Sequence, residues 1–171
     1  MPLSSWSHDS LIQDFLDNML PPTGTKRYCL FSWLREIISW KEDSDVTRLA
    51  LTALATGWAG RVDSRPDLVG KGLQMYGVAA HRLCREIPDC KPPLILATTG
   101  VFIVYELFEF GPEGNAGCSY HMDGAAASVR AAKALDIAEP PFVRVFDFFR
   151  VIFVSAMRHD LGRLNGMLMN V

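Results

Sequence analysis

From Leu94 to Tyr105 the chain carries no charge, and then it stops on a carboxylate, Glu106. An uncharged stretch of this kind has to be taken out of water, so it is expected to form the centre of whatever core the chain builds. It covers about a dozen residues against the roughly twenty of a membrane span, and it includes Thr98, Thr99 and Gly100, so a buried core helix is expected rather than a membrane segment. Val101-Phe102-Ile103-Val104 has strand-like composition. No second alternating run offers it a partner, and the length favours a helix.

The rest of the chain repeats the helical period. Ser7 or Asp9 can cap a first segment with Leu11, Ile12, Phe15, Leu16 and Met19 on one face, ended by Pro21-Pro22-Thr23-Gly24. A second segment, about 31–40, carries Trp33, Leu34, Ile37 and Ile38. Asp43 or Ser44 caps a third, to about Val62, with a stripe of Val46, Leu49, Ala50, Ala53, Leu54 and Gly57. Gly57 and Gly60 predict close packing or a helix end, since a helical glycine costs about 1 kcal/mol relative to alanine. Ser64-Arg65-Pro66-Asp67 opens the next helix, with proline in the first turn where its missing N–H costs least. Its stripe reads Val69, Leu73, Tyr76, Ala80, Leu83 and Ile87. The buried helix then spans about 94–110. A Gly/Pro/Asn loop from Gly111 to Gly117 leads to a helix over about 120–135, and Pro140-Pro141 opens a last one over about 142–157. About seven helices on short connections predict an all-α fold of antiparallel pairs in a solenoid-like array. The chain has 171 residues, 49% of them hydrophobic and 21% charged, which suits one globular domain or part of a larger one.

Charge and cysteine usage exclude some functions. Net charge is −2 and the basic residues are scattered, so no phosphate-tracking stripe is available for direct DNA binding. Cys29, Cys84, Cys90 and Cys118 form no C-x-x-C pair, and the N-terminus has neither a basic nor an apolar leader region. Free thiols in a reducing compartment are expected, in a chain that is not secreted. Gly111-Pro112-Glu113-Gly114 lacks the lysine and the preceding strand of a phosphate loop.

Catalysis and metal binding find little to use. Cys118 and His121 stand at helical contact spacing, but no third orienting group accompanies them. His81, Cys84 and Cys90 lack the paired spacing of a zinc site. Glu106 needs a partner if buried, and His121, Tyr120 or an arginine such as Arg130 could supply one. Glu109, one turn on, is expected to face solvent. No catalytic residue, metal or cofactor is therefore predicted. A polar clasp between Glu106 and His121 is expected, with Gly124 allowing the two helices to approach closely.

Tyr105-Glu106 followed by Tyr120-His121-Met122-Asp123-Gly124-Ala125 resembles the regulatory region of fungal-specific transcription factors of the zinc-cluster family. The likeness runs over about 15–161. It takes in Leu49 to Ala55 with Gly60-Arg61, the Gly72-Leu73-Gln74-Met75-Tyr76 helix, and Phe148-Phe149-Arg150. Tyr120 stands where the family more often has tryptophan, and the cysteine cluster that binds DNA is absent. The resemblance implies a partial regulatory domain spanning 1–171, non-catalytic and nuclear (otherwise cytoplasmic). Its partners would be a second copy or a transcriptional protein, with a small-molecule effector as a further class and no membrane. If later helices of the family are missing, a face with Phe142, Phe146, Phe149 and Phe153 is expected to lie open for such a partner. A free-standing helical protein that binds an apolar ligand or a peptide is the alternative class.

Overall fold

A computed structural model gives the structure and describes residues 7–20, 31–40, 44–110, 116–131 and 142–152. Among these residues every regular element is helical: α1 (His8–Met19), α2 (Trp33–Glu36), α3 (Asp45–Val62), α4 (Pro66–Glu86), α5 (Pro92–Phe110), α6 (Ala116–Ala131) and a last helix, α7, over 142–152. Short 3-10 turns extend α2 through Ile37–Trp40 and α4 through Ile87–Asp89. The fold is all-α, as expected.

The caps follow the chemistry of the residues. Ser7 accepts from the Ser10 amide and Ser44 from the Thr47 amide, each satisfying a donor that the first helical turn leaves orphaned. Pro66 begins α4, and Ser64 before it turns the chain with a positive φ of 52°.

The α3–α4 link is so short that the two helices must run antiparallel. Their seam shows it: Gly57 meets Gly72, and Gly60 meets Val69. A Cβ on Gly72 would lie 2.8 Å from the Gly57 nitrogen and 3.0 Å from the Ala53 carbonyl oxygen, and one on Gly60 would lie 2.6 Å from the Val69 nitrogen. Glycine here sets the interhelical distance. The seam also rotates α4 from its expected orientation. Leu68, Gly72, Ala79 and Leu83 turn inward, and Leu73 and Ile87 are left exposed. Close approach through small residues outweighs burial of the larger ones when the neighbouring helix is itself lined with alanine and glycine.

α5 runs parallel to α3. Thr47 bonds Thr98 at 2.7 Å, and further along Arg61 reaches Glu109 at 2.6 Å. The first helices of two consecutive hairpins, α3–α4 and α5–α6, thus stack side by side, the geometry of a solenoid-like array. α3 is buried on nearly all sides instead of along one stripe. Its other buried hydroxyls are satisfied locally: Thr52 donates to the Arg48 carbonyl and Thr56 to that of Thr52, and on α5 Thr99 donates to that of Ile95. Gly100 of α5 receives the Trp33 ring, which approaches to 2.8 Å of where a Cβ would stand. Trp33 in turn packs on Phe148 of α7, while Arg144 pairs with Glu36. Residues Pro92–Glu109 are long and apolar enough to cross a membrane, so length does not separate the two readings; the window is 72% buried among the other helices, which fits a core helix.

Candidate functional site

The uncharged run ends inside the protein, and the groups that meet it come from three helices. Glu106 of α5 is 6% exposed. Tyr76 of α4 donates its hydroxyl proton to Glu106 Oε1 at 2.5 Å, and the same hydroxyl lies 2.8 Å from His121 Nε2 of α6. His121 Nε2 is itself 3.2 Å from Glu106 Oε1. Tyr76 has given its one proton to the carboxylate, so it can only accept from His121, and Nε2 must carry a proton. This assignment also avoids setting a nitrogen lone pair against a carboxylate oxygen.

The expected Glu106–His121 clasp is therefore present, with Tyr76 as its third member. Apolar rings close it in. Tyr76 stacks on Tyr105 at 4.7 Å between centroids, and Phe102 packs against both Tyr76 and His121 at 5.2 Å. Within such walls a charged hydrogen bond is worth more than in water, and breaking it costs more. Reading Tyr76 as one more apolar residue on a stripe concealed its role. The available signal was that a buried tyrosine hydroxyl needs a partner.

Other expected members behave differently. Tyr120 is 77% exposed and stands outside the clasp, and Arg130 is also exposed. Tyr76, one helix away in space and distant in sequence, occupies the position those residues were expected to fill. Gly124 is exposed, and a Cβ there would meet nothing within 4 Å, so it does not mediate helix approach. Gly72, Gly57 and Gly60 do that instead, on the other hairpin. Gly124→Ala is accordingly expected to raise stability by about 0.5–1 kcal/mol, because it removes the entropy cost of a mid-helix glycine without a clash. Urea denaturation measures this, and a loss of stability would show that the α6 backbone is tighter than described.

Glu109 does not face solvent. Its side chain is 7% exposed and is held by Arg61, which also donates to its backbone carbonyl at 3.0 Å. The bond to Arg61 closes α3 onto the end of α5. Between this pair and the clasp lies Tyr105, 1% exposed, whose hydroxyl has no hydrogen-bond partner among the described residues. Burial, with the Glu109 carboxylate adding to it, raises the Tyr105 pKa well above its ordinary value of 10.0. The unfolded chain loses this proton first, so the stability tied to it is complete below about pH 10 and declines as pH rises beyond. Tyr105→Phe should remove that decline. It should also be neutral or stabilising by about 1 kcal/mol at pH 7, since an unsatisfied buried hydroxyl disappears. Chemical denaturation at pH 7 and pH 10.5 tests both effects; a marked loss at pH 7 would mean that the hydroxyl has a partner.

The aromatic face expected at the C-terminal end is largely internal. Phe142 and Phe149 are buried and Phe146 is 40% exposed, whereas Phe153 lies outside the described residues. Phe148, between Phe146 and Phe149 on α7, packs on Trp33 and Phe31 and turns this side of the helix to the core. Cys118 likewise has no described side chain. Among the described residues no group of three or more His, Cys, Asp or Glu is placed to hold a metal ion, and His81 and Cys84 are exposed on α4. No family model, no curated protein and no solved structure matches the chain.

Proposed function

We propose that the chain is a non-catalytic regulatory and interaction module, akin to the control region of a fungal zinc-cluster transcription factor, which acts through an attached segment and not by touching DNA itself. The observation that carries this reading is the convergence of Glu106 and His121. These residues stand in the two sequence motifs behind the resemblance, and they meet in a closed, buried lock with Tyr76. Polar atoms turned on one another in an aromatic enclosure favour a role in holding helices over a role in turning over substrate. The scattered basic residues and net charge of −2 support the absence of direct DNA binding. A second copy or a transcriptional protein remains the partner class of this reading, with a nuclear location.

A reporter experiment tests it. The chain is placed between a heterologous DNA-binding domain and an activation segment. Wild-type chain should shift reporter output by about fivefold or more relative to a flexible linker, the lower end of ordinary allosteric coupling. Glu106→Ala should erase the shift. Output equal to that of the linker would remove the regulatory reading. A free-standing binding protein for an apolar ligand or peptide is the second reading, favoured by an apolar groove between α6 and α7.

A further inference from the structure

That groove has a volume of about 340 Å³, near the lower end of the roughly 300–1,000 Å³ usual for small-ligand sites. Ala125, Ala126 and Val129 of α6 line one side, and Phe146 and Phe149 of α7 line the other. Its floor belongs to the core, since Ala125 is 2% and Phe149 4% exposed. Two alanines in succession keep it open; a larger side chain at either position would fill it. The remaining lining groups among the described residues are both guanidinium groups, Arg130 and Arg150, and no described carboxylate joins them. Arg150 has an exposed ion pair with Asp147 at 3.2 Å, of the kind that contributes little. Arg130 is exposed and makes no ion pair or hydrogen bond among the described residues.

From an apolar trough whose charged border, among the described residues, is two guanidinium groups, we infer that the α6–α7 groove binds a medium-chain aliphatic carboxylate, the alkyl chain lying on Phe146 and Phe149 and the carboxylate meeting Arg130 or Arg150. An arginine fork suits a carboxylate in shape as well as charge. The small volume selects a single short chain over a peptide helix, whose side-chain row needs a longer groove. The inference rests on the regulatory reading only in making this ligand the effector.

Titration calorimetry with decanoate, decanol and decyltrimethylammonium, each below its micelle range, tests the site. Decanoate should bind at least about tenfold more tightly than decanol, the difference one charged hydrogen bond makes, and the cation more weakly still. Arg130→Gln with Arg150→Gln, both at exposed positions, should bring decanoate down to the decanol level without changing the melting temperature. Ala126→Leu should block both ligands. Equal binding of all three probes, no binding, or adsorption only to anionic vesicles would overturn the proposal. Decanoate binding with a silent reporter would remove the regulatory role and leave the site. A responsive reporter without decanoate binding would remove the site and leave the role.

Discussion

Gly72→Val should cost about 3 kcal/mol or more, among the largest losses any single substitution in this chain produces. The added Cβ would stand 2.8 Å from the Gly57 nitrogen and 2.9 Å from its α-carbon, atoms of a helix backbone that cannot move aside singly. α3 and α4 would have to separate along their length, which strips packing from Ala53, Ala79 and Leu83 together. Equilibrium urea denaturation with Gly77→Ala as a control measures the effect. Gly77 is on the same helix with open space over it, so that substitution should be neutral or slightly stabilising. Equal behaviour of the two variants would mean that α3 and α4 do not meet at this seam.

The second large effect belongs to the clasp. Glu106→Ala should cost about 2–4 kcal/mol, because it leaves Tyr76 and His121 without the acceptor that organises them, and His121→Ala should fall in the same range. Together they should cost less than the sum by about 1 kcal/mol or more, as expected of two residues in direct contact. Tyr76→Phe should lose about 1–3 kcal/mol while keeping the aromatic stack on Tyr105. A full double-mutant cycle in urea separates these terms. Strict additivity would show that Glu106 and His121 do not interact.

Much of this architecture could be read from the chain because it depends on local chemistry. Ser7 and Ser44 cap helices for the same reason that serine is rare inside them, and Pro66 begins one because its ring has already fixed φ. The α5 core helix and the Glu106–His121 pair followed from burial and from the short link between their helices. What stayed hidden depends on rotation about a helix axis. A stripe count gives Leu73 and Leu83 equal weight on α4, but only the facing surface of α3 decides that Leu83 goes inward. Glycine is ambiguous for the same reason: Gly72 and Gly124 look alike in sequence, yet one touches a neighbouring backbone and the other touches nothing. The open face expected at Phe142 and Phe149 is buried, and α7 is fastened to the core through Phe148, which packs on Trp33 and Phe31, more than a hundred residues earlier, a contact that spacing along the chain does not reveal.

The threonines of α3 and α5 have a mechanical consequence. Thr52, Thr56 and Thr99 bond back to their own helices, so they place no polar demand on the neighbour. The polar links between the two helices, Thr47 to Thr98 and Arg61 to Glu109, lie at opposite ends of the contact. A slip of α5 along α3 by one turn, about 5.4 Å, would meet smooth apolar surface in the middle but would break both end links at once. The pair therefore resists shear as a rod fastened at both tips does: small sliding displacements are held at the ends, and release of the register is all-or-none.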